Sequence, residues 1–127
     1  MKYISCSPLE LTNGDFGHKF IVQIMDGDKA PIDYTPYQNI SLLAVLTAKG
    51  DNSVVYTICP CYPIDLQVAQ FYFSFAKGSL DWNKVNETGT PPGKYDLSFT
   101  VDPYGDGNTE VECVNGIALV NISGKFL

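Results

Sequence analysis

The sequence predicts an all-β protein, one antiparallel β-sandwich of seven or eight short strands built from residues 1–127 as a single domain. Three observations predict it. Over Tyr95–Asp102 the alternation is unbroken: Tyr95, Leu97, Phe99 and Val101 fall on one face, Asp96, Ser98, Thr100 and Asp102 on the other, as in a half-buried strand. Aromatic residues make up 13% of the chain, with eight Tyr and seven Phe, a composition that favours strands over helices. Turn signals recur at short intervals, from Asn13-Gly14 through Lys49-Gly50-Asp51-Asn52 and Pro91-Pro92-Gly93 to Asp106-Gly107.

Taken in order, Pro8–Thr12 predicts a short edge strand ending at the Asn13-Gly14 turn. Phe16–Met25 follows as a strand with Phe20, Val22 and Ile24 on one face. Asp26–Pro31 is a loop, and Ile32–Tyr37 is a turn-rich connection whose aromatics pack over the sandwich edge. Ile40–Leu46 is the most apolar segment; a short run of this kind suits a central strand or a buried helical turn. The strand is preferred because Lys49–Asn52 turns it into Ser53–Ile58, which completes a hairpin. Pro60 and Pro63 are expected to end that strand, since proline removes a ladder donor.

Ile64–Ala76 reads as one strand with Gln67 and the ladder Phe71, Phe73 and Phe75 on its core face. Lys77–Thr90 is mainly loop with room for a helical turn. After the Tyr95–Asp102 strand, Asp106-Gly107 predicts a tight hairpin into Thr109–Cys113, with Val111 and Cys113 inward. Asn115-Gly116 is a second turn or a bulge before Ile117–Ile122. The predicted core is Phe20, Val22, Leu42, Val45, Phe71, Phe73, Leu97, Phe99 and Leu119.

Composition bounds the function. Eight basic residues against fourteen acidic give a net charge of −6, which argues against nucleic-acid binding, since phosphate neutralisation needs clustered Lys and Arg. A charged fraction of 17% is low and hints at surface covered by a partner. Met1–Pro8 lacks the apolar stretch of a secretory signal and no run is long enough to span a membrane. The expectation is a cytosolic chain with its four cysteines reduced.

Candidate chemistry is sparse. His18, the single histidine, would have to serve as the base of any Ser-His-Asp or Cys-His arrangement; it lies inside a predicted strand with no nucleophile turn nearby, and reads as a solvent-facing residue. Cys59-Pro60-Cys61 with Cys6 and Cys113 offers one close pair and two distant singles, where zinc sites use two close pairs. Asp102–Asn108 starts like a calcium loop, but Tyr104 and Cys113 stand where oxygen ligands are needed. No catalytic residue, cofactor or metal is expected. Asn39, Asn86 and Asn121 open glycosylation sequons that carry little weight without a secretory signal. Tyr34, Tyr37, Tyr62, Trp82 and Tyr104, in or next to loops, suit sugar stacking or a partner's pockets, and equally suit folding back over the sandwich ends.

The order of signals resembles a known family. A Leu9–Asp15 opening precedes a long strand. Asp26-Gly27 then leads to Pro31-Ile32-Asp33-Tyr34-Thr35 and Tyr37, and Pro92-Gly93-Lys94-Tyr95-Asp96-Leu97 leads into the closing strands. This resembles the immunoglobulin-like N-terminal domain of tailed-phage baseplate upper proteins and related tail-fibre proteins, over nearly the whole chain. The resemblance implies an immunoglobulin-like sandwich and a non-enzymatic virion protein: a tail, baseplate or fibre-attachment adaptor, or a capsid decoration subunit, assembled in the host cytoplasm and present in several copies. The cysteines and Tyr62-Pro63 fall outside the family's pattern, and no catalytic residue is carried over. A carbohydrate-binding module for host-surface glycan, using Trp82 and the loop tyrosines, is the alternative.

The expected interface is the closing strand. Ile117–Ile122 has no charge and no polar face, and a strand apolar on both sides is buried on both sides. Ile117, Leu119, Val120, Ile122 and Phe126, with Tyr34, Tyr37 and Trp82, are therefore the candidate interface residues, and sheet edges are the expected route to oligomers.

Overall fold

A computed structural model of the chain describes residues 3–5, 9–26, 30–37, 39–106 and 118–123. Its strands in chain order are β1 (Tyr3–Ser5), β2 (Leu9–Thr12), β3 (Phe20–Met25), β4 (Ser41–Ala48), β5 (Asp51–Asp65), β6 (Gln70–Phe73), β7 (Trp82–Asn83), β8 (Thr88–Gly89), β9 (Gly93–Asp102) and β10 (Ala118–Ser123). Among the described residues the only helical element is a single 3-10 turn, Leu66–Val68. The protein is all-β, as expected.

Eight strands form one sheet in the order β1-β3-β6-β5-β4-β9-β10-β2, and β7 and β8 form a separate hairpin. Neighbours in the large sheet are antiparallel, except that β10 runs parallel to β2. The sheet curls until its two halves share a core: the Phe73 ring of β6 meets the Phe99 ring of β9 with centroids 6.0 Å apart, although β5 and β4 lie between those strands in the order. The turning point is β5. Its residues up to Cys61 pair with β4, and Tyr62 to Asp65 pair with β6 on its other side.

Inward positions follow the pleat. On β9, Tyr95, Leu97, Phe99 and Val101 are all buried, and on β3 so are Val22 and Ile24. Cross-strand rows run through the core, with Cys61, Leu42 and Val101 in one and Cys59, Ala44 and Phe99 in the next. Phe71, Phe73 and Phe75 are fully buried, and Phe73 packs edge-on against both Phe75 and Phe99. The aromatic ladder is where the sequence puts it.

Several expectations are corrected. Val45 faces away from the core, because Leu42, Ala44 and Leu46 take the inward positions of β4 and alternation sends Leu43 and Val45 outward. Pro60 and Pro63 do not end β5. Among the described residues each part of that strand has a neighbour on one side only, and an imino nitrogen that faces away from that neighbour sacrifices no ladder bond.

Ile64–Ala76 is not one strand either. Asp65 accepts a hydrogen bond from the Gln67 N–H at 3.0 Å and starts the 3-10 turn. Ala69 closes the turn in a left-handed conformation (φ 53°). Gln67 is exposed on this turn, not on the face of the Phe ladder. His18 lies in the exposed segment before β3, which begins at Phe20 and not at Phe16. The Asp106-Gly107 hairpin, the Thr109–Cys113 strand, Asn115-Gly116, Cys6 and Cys113 lie outside the described residues.

Candidate protein-binding face and groove

Two surfaces stand out. The first is the outer side of the curled sheet along β5. Ile58, Tyr62 and Ile64 are exposed by 49–55% of their surface, and Val54 and Val55, successive residues on opposite sides of the strand, by 41% and 49%. No charged residue interrupts the strand between Asp51 and Asp65. Asp51 at its start accepts hydrogen bonds from the Ser53 hydroxyl (2.6 Å) and N–H (3.0 Å), which hold its carboxyl below the usual carboxylate range.

Rows across the sheet widen this strip. Ile58 stands beside Val45, and Pro60 beside Leu43. At the other end Tyr62 stands beside Tyr72, with ring centroids 5.5 Å apart, and Tyr72 beside Ile21, itself 56% exposed. The Lys19 ammonium sits 4.9 Å over the Tyr72 ring and marks the edge of the apolar area. Contiguous exposed apolar surface of this sort marks interaction sites on soluble proteins. Along Asp51–Cys61 β4 is the strand's one partner among the described residues, and a strand edge left unpaired invites pairing.

The inner side of the same strand is inert. Cys59 and Cys61 are buried thiols, and burial pushes the Cys59 thiol up to about 11, against a smaller lowering by its hydrogen bond to Thr57. A thiol so protonated is a poor nucleophile. Among the described residues no three His, Cys, Asp or Glu side chains converge on a metal position, and no helix is long and apolar enough to cross a membrane.

The second surface is an open groove of about 1230 Å³ where the β7–β8 hairpin meets the end of the sheet, lined in part by Asp81, Trp82, Lys84, Glu87, Thr88 and Gly89. The hairpin is tied down from a distance. Asn13, buried at the end of β2, donates from Nδ2 to the Leu80 carbonyl (3.0 Å) and to the Thr90 carbonyl (2.8 Å). The Gly14 N–H also donates to the Leu80 carbonyl at 3.1 Å, and the Thr90 N–H to the Asp81 carbonyl at 2.9 Å. Gly89 stands opposite Trp82. A Cβ there would lie 2.1 Å from the Asp81 carbonyl oxygen, so only glycine permits this close approach.

The predicted interface residues scatter. Ile122 is 1% exposed, and β10 lies between β9 and β2, so the closing strand is not an edge. Leu119 and Val120 belong to this internal strand; Ile117 and Phe126 lie outside the described residues. Tyr34 is 1% exposed and belongs to the core. Tyr37 packs between Tyr34 and the exposed Tyr104, 5.4 Å from each ring, so these loop aromatics fold back on one another. Trp82, partly buried, lines the groove.

The β5 strip was missed by sequence reasoning. Its signal was an uncharged run with apolar residues at both parities, the same signal that was read in the closing strand. Compared with models of known protein families and with curated protein sequences, the chain finds a match in neither.

Proposed function

We propose that this chain is a non-enzymatic interaction domain of immunoglobulin-like type that docks onto other proteins through the outer face and open edge of β5. The observation that carries the reading is the uncharged, exposed apolar strip Val54–Ile64, widened by Val45, Leu43, Tyr72 and Ile21. A solvated strand face would carry polar residues there.

Three features support the immunoglobulin-like type. The strand order divides at β5 into β1-β3-β6 with the end of β5, and β2-β10-β9-β4 with its beginning. This matches the four-strand and Greek-key halves of that sandwich. The first edge is shared, with β1 joining one half and β2 the other. The Tyr95 hydroxyl, near the start of β9, donates to the Pro91 carbonyl four residues upstream, as the tyrosine corner of such domains does.

The biological setting we propose is the one the sequence resemblance implies, a phage virion subunit of tail, baseplate or capsid surface, present in several copies. Mass spectrometry of purified particles tests the setting; the protein is expected among the virion components. Sizing with light scattering tests the surface: the wild type associates with itself or with a co-purified virion protein, and Ile58→Lys and Tyr62→Lys abolish that association while staying folded. A protein absent from particles, whose association is indifferent to both substitutions, is not what we propose.

A further inference from the structure

We infer that the groove beside the β7–β8 hairpin is a binding site for a neutral saccharide chain, with Trp82 as its stacking platform. The inference is independent of the β5 surface. Its starting point is the cross-strand partner of Trp82. That partner is Gly89, which has no side chain to lie against the indole, and the Asp81 carbonyl bars any other residue from the position. The ring is thus held in a hairpin that supplies no cross-strand cover for it. Tryptophan is suited to such a half-wet position, with an apolar body and a polar N–H.

The surrounding groups decide the ligand class. Asp81 and Glu87 bring acceptors, Lys84 brings an ammonium donor, and the Thr88 hydroxyl is both. Sugar hydroxyls need donors and acceptors together, while the C–H face of a pyranose packs on an aromatic ring. An anionic ligand would meet two carboxylates against one ammonium on a chain of net charge −6. The groove is open and, at about 1230 Å³, exceeds the roughly 300–1,000 Å³ of ordinary small-molecule sites. An open groove of this size leaves room for more than one sugar unit.

Hydrogen bonds tie the hairpin down, and such preorganisation lowers the cost of binding. Asn13 clamps both ends of the hairpin through Leu80 and Thr90. The Asn83 side-chain oxygen accepts from the Val85 and Asn86 N–H groups at 3.0 and 3.2 Å and fixes the tip. Glu87 adopts a left-handed backbone (φ 52°) that sets the direction in which its carboxylate leaves the chain.

Trp82 is the one tryptophan in the chain, so emission excited at the red edge, where indole absorbs and the eight tyrosines do not, reports on this groove. The full-length protein is titrated with maltohexaose, cellohexaose, chitohexaose and mannohexaose, with pentalysine and sialyllactose as cationic and anionic comparators. A saturable emission change with at least one neutral hexasaccharide is expected, and none with the comparators. Calorimetry with that sugar should then show affinity reduced about tenfold or more in Trp82→Ala, as for loss of an aromatic anchor, and reduced in Glu87→Gln. Ile58→Lys on β5 should bind as the wild type does. Silence across the four hexasaccharides, a response to pentalysine or sialyllactose in their place, or undiminished binding by a folded Trp82→Ala variant would overturn the assignment.

Discussion

Strands β9 and β5 are the two longest among the described residues, and they obey different rules. β9 has neighbours on both edges, β4 and β10, and its buried residues alternate without a break. β5 has one neighbour at a time and passes from one half of the curled sheet to the other. Its register slips against β4 near Thr47 and against β6 near Asp65, and apolar residues face both ways. The period of two thus tells inside from outside along β9, but not along β10, which also has neighbours on both edges and is apolar in both parities. In β5 the exposed apolar residues mark a second surface to be covered.

The contrast can be broken most forcefully at the rings. Phe99→Ala on β9 removes a buried side chain that meets Phe73 across the core, and is expected to cost about 3–5 kcal/mol in urea unfolding. Phe73→Ala should cost about the same. Ile58→Ala on β5 should fall within about 0.5 kcal/mol of wild type. Equal losses for Phe99 and Ile58 would mean that β5 is as enclosed as β9.

Alkaline titration sharpens the comparison on the inner faces. The Cys59 thiol of β5 is pushed from 9.0 to about 11, chiefly by burial. The Tyr95 phenol of β9 is pushed from 10.0 to about 12, by burial first and then by Tyr56, whose ring meets it edge-on at 5.0 Å. A pKa raised by folding means that the folded state holds the proton more tightly. Each contribution is complete below the unfolded value and is lost as pH rises through the folded one. Stability should fall between pH 9 and about 11 through Cys59, by on the order of 1–2 kcal/mol. The decline through Tyr95 begins one unit higher. Cys59→Ala should erase the first part of the decline and leave the second.

Tyr95→Phe removes the hydroxyl that closes onto the Pro91 carbonyl and should cost about 1 kcal/mol. Smallest in stability is Ile58→Lys, within about 0.5 kcal/mol of wild type. Its effect should appear in association alone, by light scattering, and a large loss of stability there would contradict an exposed β5 face.

Much of this was legible in the sequence, for reasons that differ by element. β9, the inward pair Val22 and Ile24, and the Phe ladder were readable because each lies in a strand or segment with one covered face. The β4–β5 hairpin was readable because Lys49-Gly50-Asp51 is local turn chemistry. What escaped was set by distant partners. Nothing near Asn13 says that its amide reaches residues 67 and 77 positions away, so it read as a turn residue and the hairpin it anchors read as loop. Ile122 and Tyr34 read as surface because the strands that cover them lie far off in sequence. The prolines of β5 read as a stop because tolerance of proline depends on which edge is open, a property of the assembled sheet.

The parallel pairing of β2 with β10 also has a mechanical meaning. Val120 stands beside Leu9, and the match continues through Ser123 beside Thr12. Tension applied to the chain ahead of β2 and beyond β10 pulls these two strands past each other along their length. Their hydrogen bonds, which run across the strands, are then loaded together in shear, whereas pulling apart the ends of an antiparallel hairpin opens its bonds one at a time. The pair works as a clasp, and a subunit strung between two others would resist extension at that point before its core feels the load.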